Sequence, residues 1–279
     1  MDDQTILANE IPRDLFAEVV QDIATYSVGF VVPQMGISPN EPLLLGSGTF
    51  ISYNGKRVII TARHVVDSRK FPTSGRIGLM LSGSVREISI DVGSYSIIRI
   101  ERGNVEKEGP DLAMLVLAPA IASTLAARQS FFPLDLFQGK EEGRFDPVIG
   151  GELWVAQGYV DKYTIKGESH GSEYPIVRYY NFSGFGCPTQ RNIRGSFDYL
   201  SFPTESHDEY CIPDSFGGMS GGALWRIPLK KEGDKLTYTT PVFSGVIFYE
   251  ESTSPGVGNL ICHGWESVYR HCCNLIDGI

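Results

Sequence analysis

From Tyr26 onward, short runs rich in Val, Ile, Phe and Tyr alternate with clusters of Gly, Pro, Asn and Ser. The runs are Val28–Val32, Gly48–Tyr53, Arg57–Thr61, Ile88–Val92, Ile97–Ile100, Leu112–Leu117, Leu153–Val160, Ala223–Ile227 and Val242–Tyr249. Each has the length of a strand, and many short strands at such spacing build a sandwich or a barrel. Asn54-Gly55, between two of them, predicts a tight hairpin because both residue types tolerate positive φ. The ends of the chain read differently. Residues 12–25 place Leu15, Phe16, Val19, Val20 and Ile23 at helical spacing, with Pro12 near the start. Trp265, Val268, Tyr269, Cys272 and Leu275 predict a short closing helix. Residues 161–215, rich in Tyr, Ser and Gly, are expected to form long loops with one or two strands. The fold class is therefore all-β with a helix at each end.

The 279 residues suffice for one large all-β domain or two small ones. A net charge of −9 with no Lys/Arg block argues against nucleic acid as a partner. No apolar run reaches the roughly 18 residues of a membrane span, so no membrane association is expected. Met1 to Leu7 has neither the basic nor the apolar region of an export signal. The five cysteines (Cys187, Cys211, Cys262, Cys272 and Cys273) are odd in number and two are adjacent, which fits a reduced, cytoplasmic protein. Cys262, His263, His271, Cys272 and Cys273 lack zinc-ligand spacing and read as core packing. No metal or cofactor is expected.

Three polar residues stand out against this background. Ser220 lies inside Gly217-Gly218-Met219-Ser220-Gly221-Gly222. Glycines free the backbone to turn and let another molecule approach its amides, so a serine there can be a nucleophile beside an oxyanion site. A tight glycine turn with an incidental serine explains the run equally well by itself. His64 follows the apolar run Arg57–Thr61 at once, on a short turn where a side chain is rigidly presented. An imidazole can take a proton from serine at neutral pH. The other histidines, His170, His207, His263 and His271, have no comparable setting. Asp111 opens the apolar run Leu112–Leu117 and could orient His64 through its Nδ1–H. Asp67 and Asp91 compete for that role. Asp67 is too near His64 in sequence to be an independent element, and Asp91 fits an exposed strand face.

In this order the pieces resemble the chymotrypsin/trypsin-like serine proteases. The resemblance rests on Gly46-Ser47-Gly48-Thr49-Phe50-Ile51, Thr61-Ala62-Arg63-His64-Val65, Asp111-Leu112-Ala113-Met114-Leu115 and Gly218-Met219-Ser220-Gly221-Gly222, and on the chain order His, Asp, Ser. It covers roughly residues 26–279 and leaves 1–25 as an N-terminal helical extension. It implies two six-stranded antiparallel β-barrels, about 26–135 and 136–279, with the site between them. It implies a Ser220–His64–Asp111 triad and an oxyanion hole from the amides of Gly218 and Ser220. Met219 stands where digestive members carry the aspartate that pairs with a new N-terminus. The resemblance is therefore to bacterial or intracellular trypsin-like peptidases, here without a PDZ domain.

The resemblance also suggests a substrate. Asp214, six residues before Ser220, falls on the floor of the primary specificity pocket and would pair with a basic side chain. Pro213-Asp214-Ser215 is equally an ordinary turn start, and the sequence leaves both readings open. Phe248, Tyr249 and Glu250 would contact an extended peptide through their backbone, with Gly256 behind them and the Glu250 charge at the entrance. The expected activity is hydrolysis of a protein or peptide substrate, under control by a regulatory partner or a conformational change. The alternative is a catalytically silent module that binds a protein or peptide in the cleft.

Overall fold

The computed structural model describes residues 11–33, 42–84, 87–100, 110–138, 152–167, 176–178, 180–204, 213–233, 235–254 and 257–279. The first helix, α1, spans Arg13–Ala24 and follows Pro12. The first sheet comprises β1 (Ser27–Pro33), β2 (Pro42–Tyr53), β3 (Lys56–Thr61), β4 (Arg76–Leu81), β5 (Ile88–Asp91), β6 (Tyr95–Arg99), β7 (Ala113–Leu117) and the short β8 (Phe132–Pro133). Its strands run in the order β5-β4-β1-β2-β3-β7-β6, with β8 paired to β2. Pairing is antiparallel except for β8. A single helical turn, α2 (Arg63–Val66), follows β3, and α3 (Pro119–Ala126) follows β7.

After a two-stranded hairpin, β10 (Ile165–Gly167) with β11 (Ile176–Arg178), the remaining strands form a second antiparallel sheet with β9 (Glu152–Tyr159). They are β12 (Asn181–Gly186), β13 (Gln190–Arg194), β14 (Phe197–Thr204), β15 (Ala223–Glu232), β16 (Lys235–Tyr238), β17 (Val242–Ser254) and β18 (Val257–His263). The order is β12-β9-β15-β17-β18-β14-β13, with β16 paired to β15. The two antiparallel sheets are the expected two-barrel arrangement, each carrying short flanking strands that bring it to eight. The chain closes with a π-helical turn, Glu266–Cys272, that runs into α4 (Cys273–Asp277).

Local chemistry accounts for several of these elements. Asn54 and Gly55 take φ of 47° and 75°, the two left-handed positions of a hairpin turn joining β2 to β3. The closing helix begins on Asp198, whose fully buried carboxylate accepts from Ser267 N–H at 2.9 Å. That bond satisfies one of the amides a helix start leaves open. Segment 161–215 holds more strand than its composition suggests. β12 and β13 lie at the two ends of the sheet order and bury little, so they lack the apolar alternation that marks inner strands.

One core joins the whole molecule. Val19 and Ile23 of α1 pack with Ile51, Ile60 and Met114 of the first sheet. The same cluster contains Val155, Trp225 and Phe243 of the second sheet, with Val268, Cys272 and Cys273 of the closing helix. Trp225 is fully buried, with ring centroids 5.3 Å from Tyr26, 5.4 Å from Phe132 and 5.4 Å from Phe243. Separate clusters fill each sheet: Phe30, Phe50, Ile59 and Leu115 in the first, Trp154, Leu200, Leu224 and Cys262 in the second. Cys262, Cys272 and Cys273 are buried free thiols, and these apolar surroundings raise their pKa.

Candidate active site

The turn α2 carries His64 at the end of β3, and Asp111 stands just before β7, the neighbour of β3. The carbonyl of Asp111 accepts from Arg63 N–H at 3.2 Å. Its carboxylate accepts twice from the next residue: Oδ1 from His64 N–H at 2.8 Å, and Oδ2 from His64 Nδ1 at 2.6 Å. An ionised carboxylate only accepts, so Nδ1 carries the proton of this contact. Burial works most strongly against the Asp111 charge, but the hydrogen bonds and charge of His64 together outweigh it. They hold the carboxyl below the usual carboxylate range. The competing acids are engaged elsewhere. Asp67 accepts from Arg63 Nε at 2.8 Å and Arg99 Nε at 2.6 Å, and Asp91 pairs with Arg76 at 2.9 Å.

Ser220 comes from the loop before β15. Its carbonyl lies against Gly46, where a side-chain carbon would lie 2.6 Å from Val65 Cγ2 and 2.9 Å from the Ser220 carbonyl. Ser47 N–H donates to that carbonyl at 2.7 Å. Gly221 takes φ of +89°, and a Cβ there would meet the Ser47 carbonyl at 2.0 Å. Only glycine fits. Among the described residues, Ser220 Oγ has no hydrogen-bond partner, His64 included.

The loop backbone is held so that two amides stay open. The Gly217 carbonyl accepts from Asp161 N–H at 2.9 Å. A trans peptide opposes its C=O and N–H, so this contact turns the Gly218 N–H the other way. The Gly218 carbonyl accepts from Ser47 Oγ at 2.8 Å, and Ser47 Oγ itself accepts from Tyr159 N–H at 2.8 Å. Met219 is buried and its N–H closes the turn on the Phe216 carbonyl at 2.9 Å. Among the described residues, neither Gly218 N–H nor Ser220 N–H has an acceptor. Such a pair can receive an oxyanion.

The proposed pocket residues divide. Asp214 is exposed and ion-paired with Lys162. Glu250 reaches across from β17, where its Oε2 accepts from Phe216 N–H at 3.0 Å and Ser215 Oγ at 3.4 Å. Phe248 sits at a β-bulge, since the β17–β18 register skips it between Ile247 and Tyr249. It is half-buried against the first-sheet core, whereas Tyr249 is exposed. Gly256 lies outside the described residues.

Two residues that sequence reasoning passed over belong here. Ser47 was visible in Gly46-Ser47-Gly48 without any sign that its hydroxyl links the Gly218 loop to the end of β9. His263, at the end of β18, accepts the Asp111 N–H at Nε2, 3.0 Å away. With Cys262, His271, Cys272 and Cys273 it reads as core packing, and it is fully buried. Among the described residues, no group of three or more His, Cys, Asp or Glu is placed to hold a metal.

Neither a protein-family model nor a curated protein sequence matches this chain. Solved structures do match it. The HtrA-type protease AlgW, solved with a decapeptide, superposes over 94% of this chain and 67% of its own, with a TM-score of 0.51 at 14% identity. The Grass clip serine protease of the Drosophila Toll pathway covers 91% and 70%, with a TM-score of 0.53 and 14% identity. At such identity the likeness speaks for architecture, and it agrees with the two antiparallel sheets described above. The chain has the chymotrypsin/trypsin-like serine protease fold.

Proposed function

We propose that the chain is a serine endopeptidase of the chymotrypsin type. The observation that carries this is the 2.6 Å contact of His64 Nδ1 with Asp111 Oδ2, beside a loop with two open amides at Gly218 and Ser220. In the proposed reaction, Ser220 Oγ attacks the scissile carbonyl and His64 Nε2 takes its proton. Asp111 keeps the imidazole in the required tautomer and stabilises the imidazolium. The amides of Gly218 and Ser220 receive the oxyanion, each contributing on the order of 2.7–4 kcal/mol in sites of this kind. His64 then gives its proton to the leaving amine, and water repeats the sequence on the acyl-enzyme. No metal or cofactor enters this reading.

The substrate would be an extended protein or peptide lying along Phe248, Tyr249 and Glu250. Cleavage after a basic residue remains the preferred specificity, with the anionic role assigned to Glu250. Asp214 already has Lys162 as its cation, while Glu250 holds its carboxylate on the loop that leads to Ser220. Control by a partner or a conformational change would act on the Gly217–Ser220 loop, because α1 is built into the core. The buried free thiols of Cys262, Cys272 and Cys273 fit a cytoplasmic setting. Among the described residues, no helix is long and apolar enough to cross a membrane.

A fluorophosphonate probe tests the activity. The expected result is covalent labelling of the wild type that is lost in Ser220→Ala. A folded wild-type protein that resists the probe would favour the silent, peptide-binding module instead.

A further inference from the structure

Asp111 is held from two sides. Every contact described so far between its carboxylate or carbonyl and the first sheet goes to the turn that carries His64. Its own N–H points the other way, to His263 Nε2 on β18 of the second sheet, 3.0 Å away and 152 residues further along the chain. A backbone amide donates, so this nitrogen must accept, and a neutral imidazole that accepts at Nε2 carries its proton on Nδ1. His263 Nδ1 is buried and, among the described residues, has no partner. Proteins seldom bury an unpaired donor, and where they do a reason is to be sought. Here the reason lies at the other nitrogen.

The surroundings fix the ring in this role. It is fully buried, stacked on Phe248 with centroids 4.4 Å apart and 27° between planes, and Tyr199 lies 5.0 Å away on a tilted plane. Phe248 is the bulged residue of β17 that also packs on the first-sheet core. Burial pushes the imidazole pKa down to about 3, against the opposing pull of the Asp111 charge, which keeps the ring neutral and Nε2 able to accept.

We propose that His263 is a positioning residue for the active site: through the Asp111 amide it sets where that carboxylate stands, and so how it meets His64. The inference rests on the serine-protease reading for its catalytic consequence, but the geometry it asserts can be measured independently of activity. The test uses the full chain with His263→Phe, which keeps an aromatic ring without an acceptor, and His263→Gln, whose amide oxygen can reach the place of Nε2. One readout is the low-field proton resonance of the short His64 Nδ1–H bond to Asp111. The other is the rate of fluorophosphonate labelling. The Phe variant is expected to shift or lose the resonance and to label about ten-fold or more slowly, as loss of a buried hydrogen bond at the site implies. The Gln variant is expected to restore the resonance and label within about three-fold of the wild type. An unchanged resonance in the Phe variant, or equal loss in both variants, would overturn the proposal. If the Phe variant does not fold, His263→Leu takes its place, and loss of the resonance in a folded Gln variant still overturns it. If the wild type does not label at all, the functional reading fails and the resonance alone decides the role of His263.

Discussion

Two carboxylates near the Gly217–Ser220 loop carry formally equal charge, yet their surroundings differ. Asp214 is open to solvent and paired with Lys162. An exposed pair of this kind contributes little in water, at most about 1 kcal/mol. Glu250 is half-buried and tied to the Phe216 amide, so its position is fixed before a substrate arrives. If a basic side chain is selected, Glu250→Gln is expected to lower kcat/KM for Arg and Lys substrates by about 10–100-fold, the worth of one charge-assisted hydrogen bond. Asp214→Asn is expected to change it by less than about three-fold. A peptide library profiled with both variants reads this directly, and the reverse ranking would return the pocket floor to Asp214. The sequence leaves Asp214 open between a pocket floor, which the resemblance implies, and an ordinary turn start. The Lys162 that pairs with Asp214 lies 52 residues away in sequence, and no local pattern shows that pairing. The same limit hid His263. With Cys262, His271, Cys272 and Cys273 it reads as core packing, and it is indeed fully buried, but nothing local reveals the Asp111 amide against its ring.

At the level of elements, most of the inner strands that position the site were legible. β2, β3, β7, β15 and β17 are inner strands with dense apolar sequence, and the Asn54-Gly55 turn has its expected conformation. The edge strands β12 and β13 were hidden by their polar, half-exposed composition. The helix α1 was legible as a helix but not as a structural part of the barrels. Its Val19 and Ile23 are fully buried among residues of both sheets, and Phe16 meets Phe185 edge-on at 5.1 Å. Ile23→Ala therefore leaves a cavity in shared core and is expected to cost about 2–5 kcal/mol. Urea denaturation would show this as a lower midpoint at unchanged slope. A variant as stable as the wild type but labelled faster by the probe would mark α1 as an inhibitory arm instead.

Across the whole molecule, the site lies where the two sheets are tied, by the shared core and by the His263 bond to Asp111. That tie has a pH dependence. In the unfolded chain a histidine titrates near pH 6.5, whereas burial lowers the folded value for His263 to about 3. Between these values the unfolded state binds a proton that the folded state refuses. Stability must then fall as pH drops from about 6.5 toward 3, by roughly 1.4 kcal/mol per pH unit for this one group. Asp111 acts in the same direction over a lower range. Its folded pKa lies below the ordinary value, so its contribution is present above that value and is lost as pH falls through the folded one. The two are separable because His263→Gln removes the histidine and leaves Asp111. Urea denaturation of both proteins at pH 7.5, 5.5 and 4.5 should show the wild type losing stability more steeply below about 6.5. Parallel curves would mean that His263 takes up its proton in the folded protein, with its ring less enclosed than its packing against Phe248 and Tyr199 requires.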